Sequence, residues 1–395
     1  MLQPEKTCLL IADISGYTEY LSGVEIDHAQ DILADLISTV VTALGPHFRL
    51  EKLEGDAAFC SAPADTIDGT VVLDTIERCY FGFRRRRRNV RQATSCECNA
   101  CARIPDLNLK FVAHQGLVIR QSIAGREELL GSDVIAVHRL LKNTIVEDIG
   151  ISAYAALTEK LTSEMNLDPA ALGMSGHHET YEHIGEIGLW VSDLERRWQE
   201  EDSSQRVMIT AEDAIYSIDF EVAAPPEVVW QYLAAPGRRA HWQAFGGVTA
   251  IDQETGAGGR RGVGTVNHCM HGADEIIEEI LDWRPFDYFT DRSTLPGGIV
   301  FTATNEFIPT PTGTVMRMNF TAPENPEHHA MFAELAPHFE ESMKTGLETL
   351  NAEAQQEAEH ILAGRSEPKL QQPKNADGFL EAGLLEGIKP IQYVG

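Results

Sequence analysis

The sequence has little positive charge and no long apolar run. Its 395 residues include 32 Lys and Arg against 60 Asp and Glu, a formal net charge of -28. So negative a chain is a poor match for nucleic acid or for an anionic membrane surface. No stretch approaches the roughly 18 apolar residues of a membrane span, and the first residues lack the basic and apolar regions of a signal peptide. We expect a cytoplasmic protein with no membrane span and no nucleic-acid partner.

Cysteine is scarce and odd in number, which argues against a disulfide framework. Seven cysteines in a chain of this length favour thiols or metal ligands. Hydrophobic residues make up 43% of the chain, enough for a sizeable core in each of two domains. No segment repeats at a fixed period, so we expect two unlike domains.

The pattern of apolar residues predicts an α+β first domain over residues 1–195. An apolar run at 8–14 predicts a buried strand, and residues 48–62 predict a hairpin that turns at Gly55 and Asp56. The other predicted elements are helices at 18–44, 65–88, 134–143 and 153–165, and strands at 107–119 and 180–194. Alternating strands and helices of this kind form a sheet with helices packed against it.

The rest of the chain predicts a linker, a second domain and a tail. The polar segment 196–207 is the predicted linker, and 208–362 the second domain. That domain begins with a strand and a short helix, continues with Gly-punctuated strands, and ends in a helix at 327–362 with a break or kink at Pro337. The polar tail, 363–395, is expected to be loosely attached.

Asp13 and Asp56 are the strongest chemical signal. Asp13 ends the first apolar strand, and Asp56 lies at the tip of a hairpin that can lie beside it. Two adjacent carboxylates repel each other unless a cation lies between them, and oxygen ligands favour magnesium or manganese. Taken singly, Asp13 is as well explained as a helix N-cap and Asp56 as a turn residue. The next residues open a helix whose free N–H groups can hold phosphate: Ser15, Gly16, Tyr17 and Thr18.

The segments ADISGYT, EKLEGDAAF and KFVAHQGLV resemble the metal-binding motifs and the His-x-Gly strand of class III nucleotidyl cyclases. The resemblance covers about residues 5–195 and implies a ferredoxin-like cyclase-type domain. It implies that Asp13 and Asp56, assisted by the backbone of Ile14, hold two magnesium or manganese ions. The implied reaction is cyclisation of ATP to cyclic AMP and pyrophosphate, at a site formed between the subunits of a homodimer.

By the same resemblance, Lys52 and Glu128 recognise adenine, and Arg139 steadies the transition-state phosphate. Two family positions differ: Ile135 replaces the asparagine that orients the ribose, and the last strand lacks the lysine that contacts the triphosphate. Losing two such contacts costs about 4 kcal/mol of barrier. Two functions therefore stay open. The chain is an adenylate cyclase, or it is a non-catalytic regulatory protein that binds nucleotide or a lipid-like ligand.

Three close cysteines and an arginine run lie outside these motifs. Cys96, Cys98 and Cys101 have the spacing of a structural zinc site, which needs a fourth ligand such as Cys79 or a histidine. Redox-active thiols and unliganded cysteines are the alternatives. The run at 84–88 ends a helix, and we expect its arginines to pair with the protein's own carboxylates or with a partner subunit.

The second domain resembles START and polyketide-cyclase-like helix-grip domains over 208–362. That fold implies an antiparallel sheet around a long C-terminal helix, with a cavity for a small apolar ligand. Either this cavity or the core holds the aromatic side chains of Trp230, Tyr232, Trp242 and Phe245. Strand alternation places Cys269 and His271 on one face and His268 on the other, as a metal site, a pocket-lining pair or ordinary half-buried side chains. No convincing acid–base pair is evident in this half.

Overall fold

The computed structural model describes residues 3–22, 26–93, 103–244 and 247–364. Within these ranges the protein consists of two sheets, each with its own helices. The predicted α+β class is confirmed, and so is the order of a sheet with several helices followed by an antiparallel sheet with a long C-terminal helix. No helix within these ranges is both long enough and apolar enough to cross a membrane.

The first sheet contains both parallel and antiparallel strand pairs, and its first strand in the sequence is buried between two others. Its strands are β1 (Glu5–Ser15), β2 (Arg49–Glu54), β3 (Ala57–Pro63), β4 (Asn108–Ile123), β5 (Arg126–Leu130), β6 (Tyr154–Thr158), β7 (Ser175–Tyr181) and β8 (Gly185–Asp193). They are ordered β2-β3-β1-β4-β6-β8-β7, with β5 paired to β4. Strands β4 and β6 are parallel, and the other pairs are antiparallel. Strand β1 lies between β3 and β4, as its apolar run predicts.

Helices cover both faces of this sheet. They are α1 (Tyr17–Ser22), α2 (Ile26–Leu44), α3 (Gly69–Ala93), α4 (Ser132–Arg139), α5 (Ile145–Ile149), α6 (Glu159–Glu164) and α7 (Leu194–Ser203). Leu10 and Ala12 face the core under α2 and α3, whereas Leu9 and Ile11 face the core under α4. Because successive side chains of a strand alternate, β1 anchors both cores.

One local prediction needs correction. The helix predicted at 153–165 is wrong in its first half, because Tyr154–Thr158 is strand β6 and the helix begins only at Glu159. All five residues of β6 are buried between β4 and β8, so sheet pairing overrides their helical spacing. The predicted linker at 196–207 is helical as far as Ser203, in α7.

The second sheet is fully antiparallel and has the predicted long helix. Its strands are β9 (Tyr216–Val222), β10 (Ala250–Glu254), β11 (Val266–His271), β12 (Asp274–Arg284), β13 (Tyr288–Leu295), β14 (Ile299–Thr310) and β15 (Gly313–Phe320). Its helices are α8 (Pro226–Ala234), α9 (Pro236–Gln243) and α10 (His329–Gly364). The strand order is β10-β11-β12-β13-β14-β15-β9. Helix α10 continues through Pro337, so the chain does not leave the helix there.

The aromatic residues of α8 and α9 belong to the core of the second domain. The Trp230 ring lies 4.8 Å from the Trp283 ring and 5.0 Å from the Phe307 ring, centroid to centroid. The indole nitrogen of Trp242 donates to the carbonyl oxygen of Tyr232 at 2.8 Å. Of the two interpretations of these aromatic residues, the structure favours the core, whereas Phe245 lies outside the described residues.

A buried ion-pair cluster joins the two domains. Arg260, just before β11, places Nη2 2.6 Å from Asp74 Oδ1 and 2.7 Å from Glu77 Oε2 on helix α3. Arg197 Nε lies 2.9 Å from Glu77, and the Trp283 indole donates to Asp74 at 3.3 Å. Burial raises the pKa of Asp74 to about 6 against the opposing charge of Arg260. Burial also acts on Glu77, but its two arginines hold the pKa of that carboxyl at about 2.

We expect Arg260→Met to lower the free energy of unfolding by about 3–5 kcal/mol, because it leaves two buried carboxylates without their shared cation. Urea unfolding measures the change. Arg292→Met is the matched control, since Arg292 pairs with Glu324 at the surface, and we expect it to change stability little. Equal losses in the two variants would contradict the importance of the buried cluster.

Candidate functional site

The acidic pair, Asp13 and Asp56, is brought together by the register of three strands. Asp13 lies near the end of β1, opposite Ala57 on β3 and Lys110 on β4. Asp56 lies in the tight turn between β2 and β3, and its carbonyl oxygen accepts from the backbone N–H of Ile14 at 3.3 Å. The hairpin predicted at this turn is confirmed, so residues 43 positions apart in the sequence share one end of the sheet.

The electrostatics of this pair fit an additional cation. Burial raises the pKa of Asp56 to about 6, and the charge of Asp13 adds to the rise. Lys110 opposes it, with its Nζ 3.1 Å from Asp13 Oδ2. One ammonium thus faces two carboxylates, and a divalent cation would relieve the remaining repulsion.

The donor set suits a cation that arrives with a phosphate ligand. Within the described ranges, no group of three or more His, Cys, Asp or Glu residues could hold a metal. Two carboxylates and nearby backbone oxygens leave much of an octahedral shell open. Magnesium commonly binds one or two carboxylates in this way and completes its shell with water and substrate phosphates. The residues present therefore fit magnesium or manganese.

The chain after Asp13 turns sharply into a helix. Ser15 ends β1, Gly16 has φ +84°, and α1 begins at Tyr17. A Cβ added to Gly16 would lie 3.2 Å from the carbonyl oxygen of Asp106 and in a backbone conformation that side chains rarely adopt. The start of α1 therefore lies next to the acidic pair, while the side chain of Thr18 lies outside the described residues.

Of the three residues matched to nucleotide recognition, Lys52 and Arg139 are exposed, whereas Glu128 is partly buried and lies beside the end of β4 opposite to Lys110. Lys52 is on β2, with its side chain 56% exposed and its Nζ 3.5 Å from Glu54. Glu128 is on β5, opposite Gln121, and Arg139 is exposed at the end of α4. In the part of the chain that the structure describes, no hydrogen bond or ion pair joins these residues to Asp13 or Asp56.

The His-x-Gly motif positions the helix that carries Arg139. His114 Nε2 lies 3.0 Å from Asp133 Oδ1, and the other carboxylate oxygen of Asp133 accepts from the N–H of Leu117 at 2.7 Å. A Cβ at Gly116 would lie 2.3 Å from the side chain of Asp133. Glycine is thus needed for the start of α4 to lie against β4.

Sequence reasoning missed Lys110 and left the contacts of His138 undetermined. His138 Nε2 lies 3.2 Å from Glu54 Oε2, and its ring packs on Phe59 at 4.7 Å, which ties α4 to the β2–β3 hairpin. Lys110 could have been found from its pattern, because it is the one lysine in an otherwise apolar strand segment. Its pairing with Asp13 depends on the β1–β4 register, which the sequence does not specify.

The structure places one of the candidate zinc-ligand cysteines in the core and pairs arginines of the run with carboxylates. Cys96, Cys98 and Cys101 lie outside the described residues. Cys79 is buried within α3, where burial raises the pKa of its thiol and its Sγ lies 3.8 Å from the carbonyl oxygen of Val40. It therefore packs in the core. Two arginines of the run pair with the protein's own carboxylates, as predicted: Arg86 with Asp35 at 2.6 Å, and Arg84 with Glu195.

A cavity of about 110 Å³ lies between the second sheet and helix α10. Cys269 and His271 both line it, which confirms their shared face. His268 points the other way and its Nδ1 lies 2.7 Å from Glu275 on the surface.

Two family models match separate parts of the chain. "Protein of unknown function (DUF2652)" matches residues 33–148, and "Polyketide cyclase / dehydrase and lipid transport" matches residues 213–355. A Mycobacterium tuberculosis relative, "Uncharacterized protein Rv2561/Rv2562", is 35% identical over 162 residues, which cover 41% of this chain and 73% of the relative. The second family model, over residues 213–355, falls inside the helix-grip domain.

Two of the similar solved structures are nucleotidyl cyclases, and each covers about half of this chain. The guanylyl cyclase Cya2 is 12% identical, with 48% of this chain and 92% of that chain covered at a TM-score of 0.37. The adenylyl cyclase CyaB from P. aeruginosa is 12% identical, with 49% and 96% covered at 0.34. Protein MLL2253 from Mesorhizobium loti is 19% identical, with 35% and 96% covered at 0.28. The sheet order, rather than these scores, carries the description of the fold.

We expect Lys110→Met to lower the free energy of unfolding by about 1.5–3 kcal/mol, because it removes a charged hydrogen bond and leaves the acidic pair uncompensated. Adding Asp13→Asn to the variant restores most of the loss. Urea unfolding without divalent cations measures both, and Lys52→Met is the exposed control. If the double variant is no more stable than Lys110→Met, the charge argument is wrong.

Proposed function

We propose that this chain, which belongs to the same family as the Mycobacterium tuberculosis relative, binds a nucleoside triphosphate with magnesium or manganese at Asp13 and Asp56, and that it converts ATP to cyclic AMP and pyrophosphate. The observation that carries the proposal is the acidic pair itself. Asp13 lies near the end of the buried strand β1 and Asp56 in the adjoining turn, beside a helix start, and Lys110 is the one ammonium that faces them among the described residues. Such a pair favours a divalent cation and the phosphates that accompany it.

Each residue has a distinct task in this proposal. Asp13, Asp56 and the backbone of Ile14 hold the metal. When bound, magnesium or manganese lowers the pKa of the ribose 3′-hydroxyl and neutralises charge on the triphosphate. The backbone N–H groups from Ser15 to Thr18 face the phosphates. Lys110 is displaced from Asp13 and pairs with a phosphate oxygen, which supplies the positive charge that the last strand lacks.

Adenine recognition and transition-state stabilisation require a second copy of the chain. Lys52 donates to and Glu128 accepts from the adenine edge, and Arg139 neutralises the developing phosphate charge. Support for a homodimer comes from the exposure of Lys52 and Arg139 on one subunit and from Ile135, whose apolar side chain is 58% exposed on the same helix as Arg139. Large exposed apolar residues near charged groups are common at subunit interfaces.

The second candidate is a nucleotide-binding regulatory protein without turnover. Ile135 favours it, since an aliphatic side chain cannot hydrogen-bond a ribose hydroxyl. In either case the cavity of the helix-grip domain binds a small ligand that regulates the first domain. The buried contact between Arg260 and helix α3 offers the route, because it connects the segment leading into strand β11, which lines the cavity, with the first sheet's helices.

The proposal also includes the domain boundaries, the location of the protein and a zinc site. The chain divides into domains 1–195 and 208–362, joined through 196–207 and followed by the tail 363–395. The protein is cytoplasmic. Cys96, Cys98 and Cys101 form a structural zinc site, which zinc analysis of the purified protein would test directly.

The test is cyclic nucleotide production by the purified chain, with ATP and GTP offered separately in manganese. We expect product from ATP, loss of at least about 100-fold in Asp13→Asn and Asp56→Asn, and no product after metal chelation. Asp65→Asn is the matched control, because Asp65 is an exposed carboxylate of the same domain.

Two outcomes of this assay would contradict the proposed function. Unchanged product formation in Asp56→Asn would contradict the role of the acidic pair. Manganese-dependent ATP binding without product from either nucleotide would favour the regulatory candidate over the cyclase.

A further inference from the structure

The cavity of the helix-grip domain contains buried charge as well as apolar surface. Arg239 on α9 and Glu278 on β12 form a two-point ion pair, with nitrogen–oxygen distances of 2.5 and 2.6 Å. Arg239 Nε also donates to Gln243 at 3.0 Å. All three side chains line the cavity, so the guanidinium charge is already matched by a carboxylate.

Asp291 on β13 is a second carboxyl group in the same cavity, and its hydrogen bonds come from neutral groups. It is 4% exposed and accepts from Ser293 Oγ at 2.7 Å and from Asn305 Nδ2 at 3.1 Å. Burial, followed by the charge of Glu278, raises the pKa of Asp291 to about 7. The cavity thus has two carboxyl groups and one cation, and an anionic ligand would add to the imbalance.

The remaining wall of the cavity is mainly apolar and combines aliphatic side chains with four phenylalanine rings. Phe289, Phe301, Phe320 and Phe339 all line it. Aromatic faces attract cations, more strongly where water is excluded. The volume of about 110 Å³ is close to that of an engineered cavity of about 150 Å³ that holds benzene. The ligand body that fits is therefore about one ring.

We propose that this cavity binds a small hydrophobic amine in its protonated form, with the ammonium paired to Asp291 and the apolar body against the phenylalanine rings. The inference rests on the ligand-binding role proposed for this domain and specifies its chemistry. It does not depend on nucleotide cyclisation by the first domain.

The pairing has a pH signature with a definite sign. The groups facing Asp291 are Arg239 on α9, Glu278 on β12, and Cys269 and His271 on β11. Burial raises the pKa of Cys269 to about 12 and lowers that of His271, so both stay neutral near pH 7. The ionised fraction of Asp291 rises from about one tenth at pH 6 to about nine tenths at pH 8. Amine affinity should rise about tenfold over that interval.

The test compares four probes of one size on the full chain: benzylamine, benzyl alcohol, ethylbenzene and benzoate. Titration calorimetry at pH 6 and pH 8 gives each dissociation constant. We expect benzylamine to bind at least tenfold more tightly than benzyl alcohol at pH 8, and to lose about tenfold at pH 6. Benzoate should bind most weakly.

Asp291→Asn keeps the side-chain size and removes the charge. We expect it to abolish both the amine preference and its pH dependence, whereas Asp252→Asn, an exposed carboxylate on β10, should change neither. If Asp291→Asn does not fold, the probe series on the unaltered chain still decides the question.

Each other outcome overturns the inference. Tightest binding of benzoate, equal binding of benzylamine and benzyl alcohol, or stronger amine binding at pH 6 would exclude an ion pair with Asp291. Binding of ethylbenzene alone would leave an apolar-ligand role for the domain but not the amine. Binding of no probe would reject both, while cyclase assays on the acidic-pair variants would remain a separate test of the first domain.

Discussion

The rest of the first domain depends on the register of strand β1, which fixes the position of the strand's end. Strand β1 lies between β3 and β4, and its side chains anchor a core on each face, so its register cannot shift without exposing one of them. That register fixes Asp13 beside the hairpin turn that contains Asp56 and beside Lys110. The same core that stabilises the sheet therefore holds two like charges together, which is an unfavourable arrangement unless a cation joins it.

Buried carboxylates recur in this acidic protein, and each is stabilised differently. Glu77 has two arginines, and the pKa of its carboxyl is lowered to about 2. Glu278 has one arginine in a two-point contact. Asp56 and Asp291 have a smaller share of positive charge, and their pKa values are raised to about 6 and about 7. The pKa of Asp74 is also raised to about 6, although Asp74 pairs with Arg260 between the domains, so a raised pKa indicates a ligand site only together with the cavity or strand-end geometry.

Much of the fold could be predicted from local pattern, whereas the contacts within the sites could not. The apolar run of β1, the hairpin around Asp56 and the long final helix follow from residue spacing and turn chemistry. Strand β6 was missed because its assignment depends on neighbours far along the chain. Lys110, Arg239 and Asp291 were missed for a related reason: each looks like an ordinary strand or helix charge until strand register and helix packing bring it to a partner. The alternation of Cys269 and His271 was predictable because it is local.

A crystal structure with manganese and a non-hydrolysable ATP analogue is the most direct test of this account. We predict an anomalous manganese peak between the carboxylates of Asp13 and Asp56, about 2.1 Å from their oxygens, with Lys110 moved from Asp13 to a phosphate. A nucleotide bound elsewhere, with Lys110 still paired to Asp13 and no peak beside either carboxylate, would contradict the central claim. Asp13 and Lys110 would then form a structural ion pair, and the function of the first domain would have to be sought at another surface.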